Sequence, residues 1–578
     1  MWPSLILLIV LFEGISCQSV PGTPINRKEV ITEEHGVVAA DDGRCSQIGS
    51  TILQRGGHAV DASIAAAFCL GVVSPASSGI GAGGLMLIRS ANGLVDAYDM
   101  RETAPAAASR DMYANDPTAK EQGGLAVGVP GQVLGLYTVW KKYGKLSWKE
   151  LVKPAIALAG RGFKLSPYLH FQMTQVEPAI RKDEGLREKF MANGTLLKIG
   201  DIVRDAKLAR TLKKIADHGP SVFYTGSIAV DLVHDIGEKG GIITMEDLKG
   251  YVVKQRKPIF AKVMNHEIFT MPPPSSGGVG LIMVLNVLAQ YGSAEALSGT
   301  LGLHRLVEAM KHMFAERTNL GDPDFVNVEP VISQMLSLKF AREVKSRIND
   351  STTHNPDFYL ERYNQTIDHG TSHMSVVDSE RNAVGLTSTV NNFFGAWFRS
   401  RRTGMILNNQ MDDFSIPSNT TSNTTMPPAP ANFIVPHKRP LSSTMPTIIL
   451  KDGQLNAVIG ASGGPRIIPA NIQVFLNHFV HNMDPFSAIL APRVYHRLIP
   501  NFVEYEKWDT VSGDHIEVSL RDRLGLATKG HKLQALAFGA KCQFVVQHLP
   551  TMAKGKSIIM GNLTAVSDPR KGGFPAGY

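Results

Sequence analysis

Cysteine is scarce in this chain of 578 residues. Only Cys17, Cys45, Cys69 and Cys542 occur. None is closely spaced with another, which excludes a disulfide-stapled miniprotein and a structural zinc module. A His-Glu-X-X-His pair is missing too, so a zinc-protease reading has no support. No stretch reaches the roughly 20 charge-free apolar residues of a membrane span. Internal repeats are absent. Basic residues outnumber acidic ones, 59 to 51, but they are scattered, and the densest cluster is Arg399, Arg401 and Arg402. No basic stripe of a nucleic-acid-binding face is present, so the excess reads as a solvated surface.

What is present is ordinary globular material. Apolar residues make up 43% and charged residues 19% of a chain long enough for a sizeable core. Leu5 to Phe12 is an uninterrupted apolar run, followed by the small residues Gly14, Ser16 and Cys17. That run fits a secretory h-region over residues 1–17, although it lacks a basic n-region. The alternative is an uncleaved anchor facing the extracellular side. Asn193, Asn349, Asn364, Asn419, Asn423 and Asn562 each open an Asn-X-Ser/Thr triplet, and six sequons agree with export. A secreted glycoprotein is the expectation.

Along the chain, Arg44 to Gln54 and Val60 to Leu70 read as short helices separated by Gly56-Gly57. Cys45 and Cys69 lie on these two segments, close enough in topology to pair. The glycine-rich turn Ser77 to Gly84 precedes a strand, Leu85 to Arg89. It lacks Gly-Lys-Ser/Thr, so tight backbone packing explains it better than a phosphate loop. Residues 145 to 350 are helix-rich, with Leu306, Val307, Met310, Met313 and Phe314 on one core-facing stripe. Pro272 to Gly278 reads as an extended loop into a buried helix, Leu281 to Leu288. Near residue 370 the texture changes. His373 to Val377 and Ala383 to Val390 read as strands, and Thr447 to Lys451 and Gln454 to Ala461 flank the hairpin turn Asp452-Gly453. Ser415 to Pro430 is a polar loop.

Two nucleophiles compete. Gly460-Ala-Ser-Gly-Gly464 matches the elbow of α/β-hydrolases, with a strand before it and a helix, Pro465 to Val480, after it. Ser462 would need a carboxylate and a histidine downstream, and no motif supplies them. Thr371, in Asp368-His-Gly-Thr-Ser-His-Met-Ser-Val-Val377, is the second. An internal threonine is a poor nucleophile. At a chain start, its own α-amine, with a pKa of about 7.7–8.0, can take the hydroxyl proton. Gly370 leaves the preceding carbonyl uncrowded for attack. On residue types alone, a polar strand end is the plainer description of this segment.

From about residue 30 to Tyr578 the chain resembles a γ-glutamyltransferase (γ-glutamyltranspeptidase, glutathione hydrolase) of the N-terminal nucleophile superfamily. The resemblance rests on separated blocks in the family's order: Met100-Arg-Glu-Thr-Ala-Pro105, Gly370-Thr-Ser-His-Met-Ser-Val-Val377, Thr387-Ser-Thr-Val-Asn391, Asn408-Asn-Gln-Met-Asp-Asp-Phe414, Pro440-Leu-Ser-Ser443, Gly460-Ala-Ser-Gly-Gly464 and Asp568-Pro-Arg-Lys-Gly-Gly-Phe-Pro-Ala-Gly-Tyr578. It implies an α+β fold, the four-layer αββα sandwich, and a precursor that cleaves itself between Gly370 and Thr371. A large subunit, 18–370, and a small subunit, 371–578, would remain together as a heterodimer.

The resemblance also implies roles. Thr371 is the nucleophile and Thr389 orients its hydroxyl. Arg101, with Ser442 and Ser443, holds the α-carboxylate of a γ-glutamyl donor such as glutathione; a guanidinium suits that. Asn391, Gln410 and Asp413 surround the α-ammonium. The amides of Gly463 and Gly464 form the oxyanion hole. Water or an amine, such as an amino acid or dipeptide, accepts the group. No metal or organic cofactor is implied. Gln410 stands where many animal members carry Glu. Cys45 and Cys69 fall where some animal members place a disulfide, whereas Cys542 has no evident partner. Two rivals are a serine hydrolase using Ser462 and a catalytically silent secreted homologue with a binding or venom role.

Overall fold

A computed structural model describes residues 27–359, 370–417, 428–549 and 560–578. The leader at 1–17, the sequons Asn364, Asn419 and Asn423, and most of the 415–430 loop lie outside the described residues. Asn193, Asn349 and Asn562 are described and exposed.

Two seven-stranded sheets form the centre. In chain order their strands are β1 (Val30–Glu33), β2 (Val37–Ala40), β3 (Gly83–Arg89), β4 (Val95–Asp99), β5 (Lys254–Arg256), β6 (Ile259–Val263), β7 (His266–Thr270), β8 (Gly370–Val377), β9 (Ala383–Asn391), β10 (Thr447–Lys451), β11 (Gln454–Ser462), β12 (Lys541–Gln547), β13 (Leu563–Ser567) and β14 (Ala576–Gly577). The first sheet runs β1-β13-β12-β11-β10-β7-β6. The second runs β14-β2-β8-β9-β3-β4-β5.

Side-chain alternation sorts these strands into layers. Val37, Ala39, Leu85, Leu87, Val377, Val458 and Val545 fill the space between the sheets. Their neighbours Val38, Ala40, Met86, Ile88, Met374 and Val376 point the other way, onto the helices α1 (Gly43–Gln54) and α2 (Ala59–Val73). On the far side, Ile449, Ile459, Phe544 and Val546 pack against α3 (Gly277–Ala289), α4 (Gly299–Arg317) and α5 (Ile467–Phe475). The stack is the αββα sandwich. The stripe from Leu306 to Phe314 lies in that second helical core.

Local chemistry sets the element ends. The Asp42 side chain accepts from the Arg44 amide at 3.0 Å and caps α1. Gly56, at φ +84°, ends it. Cys45 and Cys69 are joined, pinning α1 to α2, and Cys542 stays a buried free thiol that burial pushes up to about 12. Asp452 and Gly453 take φ +51° and +75°, the left-handed pair of a tight hairpin turn.

Three of the boundaries that differ from the sequence reading have a local cause. The strand expected from His373 starts at Gly370, because Gly370 pairs with Asn391. The helix expected from Leu281 starts at Gly277, where the missing side chains let the backbone approach Ser443 and Met271. The single helix expected over Pro465 to Val480 is a 3₁₀ turn at Gly464–Arg466, the α-helix α5 and a π turn at Leu476–Val480.

Candidate active site

Thr371 lies at the start of β8, 6% exposed, in a register irregularity. Gly370 pairs with Asn391 and Ser372 with Ser388, so Thr389 and Val390 of β9 oppose Thr371 alone. The extra residue brings the Thr389 hydroxyl to the Gly370–Thr371 bond. That hydroxyl donates to the Gly370 carbonyl, accepts from the Asn391 amide at 2.8 Å, and lies 3.5 Å from the Thr371 hydroxyl. A side chain at Gly370 would collide with the Asn391 carbonyl, so glycine is required there.

No acid or base side chain hydrogen-bonds the Thr371 hydroxyl among the described residues. The nearest described histidine in sequence, His373, is fully buried, bonded to Thr387 at 2.8 Å and Ser375 at 3.2 Å, and burial pushes its pKa down to about 3. It is a neutral packing residue against Gly460. A threonine that starts a chain carries its own amine as a base, and here that amine would exist only after the Gly370–Thr371 bond is cut.

From Thr389 the contacts lead into a polar pocket. Asn391 sits at φ +74° and its amide nitrogen donates to the Asn409 carbonyl at 3.2 Å. Gln410, one residue on, donates to Asp413 at 2.7 Å. Asp413 pairs with Arg101, whose guanidinium also donates to the carbonyls of Pro440 at 3.3 Å and Leu441 at 3.2 Å. Ser442 and Ser443 follow directly, both fully buried. The side-chain oxygens of Asn391 and Gln410 are buried and receive no hydrogen bond from the described residues. Two acceptors beside a carboxylate are what a cationic group needs, and a guanidinium beside two hydroxyls is what a carboxylate needs.

The facing sheet supplies the other wall. Gly463 and Gly464 follow β11 at φ +131° and +61°, conformations that favour glycine, and a Cβ on Gly463 would come within 2.9 Å of Ala540. Neither amide closes a turn hydrogen bond among the described residues. The Ser462 hydroxyl is buried with no partner among the described residues, so no described histidine activates it. The serine-hydrolase arrangement is thus missing its base.

Four charged residues of this region escaped the sequence reading. Arg317, at the end of α4, donates to Ser276 at 2.8 Å and Ser443 at 3.1 Å. Glu102 is buried beside Arg101, and burial pushes its carboxyl up to about 8. Lys571 pairs with Asp41 and donates to the Thr371 carbonyl at 3.0 Å. Lys541 faces Ser462 across the β11–β12 pairing. Glu102 and Lys571 fall inside two of the motif blocks; no sequence signal marks Arg317 or Lys541.

An αββα sandwich with a glycine–threonine bond at the start of an inner strand defines an N-terminal nucleophile hydrolase. Comparison with known proteins narrows this. The profile of the family described as gamma-glutamyltranspeptidase matches residues 45–578. Glutathione hydrolase 2 of Arabidopsis thaliana is 54% identical over 556 residues, 96% of either chain. The crystal structure of Helicobacter pylori gamma-glutamyltranspeptidase is 35% identical, with a TM-score of 0.53 over 54% of this chain and 92% of that one. Cephalosporin acylase from Bacillus halodurans, 24% identical, shares the fold with a TM-score of 0.81 over 98% of this chain and 99% of that one. The chain belongs to the γ-glutamyltranspeptidase family, and it is an enzyme of γ-glutamyl hydrolysis and transfer.

Proposed function

We propose that this chain is a precursor that cuts itself between Gly370 and Thr371 and then uses Thr371 to take the γ-glutamyl group from glutathione and its conjugates. The observation that carries the reading is the Thr389 hydroxyl, in contact with both the Gly370 carbonyl and the Thr371 hydroxyl. Thr389 polarises the carbonyl while the Thr371 hydroxyl attacks it. The acyl group shifts from nitrogen to oxygen, and water hydrolyses the ester. The subunits 18–370 and 371–578 stay together, because both sheets contain strands from each.

The freed α-amine then serves as the base for the same hydroxyl. Arg101, Ser442 and Ser443 hold the donor's α-carboxylate. Asn391, Gln410 and Asp413 hold its α-ammonium. A zwitterionic glutamyl head exchanges one internal ion pair, Arg101–Asp413, for two with itself. The Gly463 and Gly464 amides stabilise the oxyanion at the γ-carbonyl. Release of cysteinylglycine leaves a γ-glutamyl ester on Thr371, which water or an amino acid or dipeptide amine resolves.

No helix of the described residues is long and apolar enough to cross a membrane. The sequons and the leader-like start support a secreted glycoprotein. N-terminal sequencing of secreted material tests the whole scheme. Two chains are expected, one beginning Thr-Ser-His-Met; a single uncut chain that still releases product from a γ-glutamyl anilide would sink it.

A further inference from the structure

Arg317 is the last residue of α4 and is 3% exposed. Its guanidinium reaches two hydroxyls. Nε donates to Ser276 Oγ at 2.8 Å, and Nη2 donates to Ser443 Oγ at 3.1 Å. Ser276 stands just before α3 and passes the contact on. Its hydroxyl donates to the Ser442 carbonyl at 2.8 Å and its amide donates to the same oxygen at 2.7 Å. Arg317 therefore holds the Ser442–Ser443 segment at two points, directly at one hydroxyl and through Ser276 at one carbonyl. The backbone of α3 closes on the same place, since a Cβ on Gly277 would lie 2.6 Å from the Ser443 carbonyl.

The contact fixes a direction. A guanidinium has donors and no acceptor, so each hydroxyl it touches must accept there and place its own proton elsewhere. Ser276 gives its proton to the Ser442 carbonyl. Ser443 donates to no described residue, so its proton is left for a ligand. Ser442 is oriented in the same sense, because its Oγ accepts from the Thr444 amide at 3.1 Å. Arg101 meets this stretch from its other end, at the carbonyls of Pro440 and Leu441. A carboxylate resting on the two serines would thus face one guanidinium directly and a second one behind a hydroxyl.

We propose that Arg317 is a positioning residue for the donor's α-carboxylate. It makes the Ser443 hydroxyl accept on the α4 side and present its proton on the pocket side, and its charge strengthens that proton as a donor. Without it, the hydroxyl is free to turn a lone pair towards the carboxylate, which repels. Arg317 acts through Ser443 and not on the donor itself. The inference rests on the γ-glutamyl reading, in which Ser443 holds the carboxylate, and adds to it the residue that aims Ser443.

The test uses the processed wild-type enzyme, Arg317→Met, Arg317→Lys, Ser443→Ala and both double variants. Two donors are compared, a γ-glutamyl anilide and the same anilide with its α-carboxylate replaced by a carboxamide. Arg317→Met should raise KM for the first donor about tenfold with kcat within about twofold, and should lower the preference for carboxylate over carboxamide by a similar factor. Arg317→Lys should restore most of the loss, leaving KM about threefold above wild type. With Ser443→Ala already in place, either substitution of Arg317 should change KM by less than about twofold. An equal penalty in both backgrounds, or an unchanged carboxylate preference in Arg317→Met, overturns the proposal. If Arg317→Met stays uncut, Arg317→Lys carries the same comparison, and an equal penalty with and without Ser443 overturns it there. Ser443→Ala alone separates the two levels. An unchanged KM in that variant removes the carboxylate-holding reading and the inference together; a raised KM there, with none in Arg317→Met, removes the inference alone.

Discussion

Arg493, Arg570, Glu506 and Asp568 are buried as deeply as Arg101 and Asp413, yet the two groups are finished differently. In the first, all four carboxylate oxygens are filled. Glu506 receives Tyr495, the Arg493 amide and two nitrogens of Arg570, and Asp568 receives Arg493, Arg570 and the Cys542 amide. In the second, Arg101 and Asp413 meet, but the Asn391 and Gln410 oxygens beside them receive nothing from the described residues. Charges that close on one another hold a fold together. Charges bordered by unanswered acceptors await a ligand of complementary charge.

The strongest break of this contrast is at the bond itself. Thr371→Ala should stay uncut on a denaturing gel and release product at least about 10³-fold more slowly from a γ-glutamyl anilide. Next come two matched substitutions of arginine by lysine. Arg570→Lys, which loses the forked contact with Glu506, should cost about 2–4 kcal/mol in chemical denaturation. Arg101→Lys keeps a cation against Asp413, so its denaturation midpoint should hardly move while kcat/KM for the donor falls about 30- to 100-fold. Equal stability losses at both positions would erase the distinction. A smaller effect tests the unanswered acceptors: Gln410→Met should raise the donor KM by about tenfold with little change in stability.

A pH-dependent test concerns Glu102. Burial raises its carboxyl to about 8 in the folded protein, so the unfolded chain ionises first. Stability should fall as pH rises from about 4.5 towards 8. Glu102→Gln should flatten that slope in thermal melts at pH 5 and pH 8, and an unchanged slope would exclude Glu102 as its source.

The sequence carried some of this plainly and concealed the rest for physical reasons. The Gly370–Thr371 bond, the Gly463–Gly464 turn and the Arg101 block are short motifs, and each stands where its backbone is needed. The sheets were harder to read. Both faces of β3 are covered, so Gly83–Arg89 is buried throughout and shows no polar alternation. Arg317 gains its meaning from partners on other elements, Ser276 and Ser443, which no local pattern records. The Arg101–Asp413 contact joins positions 312 residues apart. The break between α5 and its π turn is not marked by any residue that forbids an α-helix.

The interleaving of the sheets has a consequence for molecularity. β2 pairs with β14 on one side and β8 on the other, and β3 pairs with β9. The proposed cleavage before Thr371 would leave each of these contacts in place while removing one covalent link. The precursor folds as a first-order process. A protein cut there, once unfolded, would return only by a second-order encounter of two chains, each holding part of both sheets. Its recovery from denaturant should therefore depend on concentration, whereas that of Thr371→Ala should not. One bond broken after folding makes the native state a condition the molecule reaches easily once.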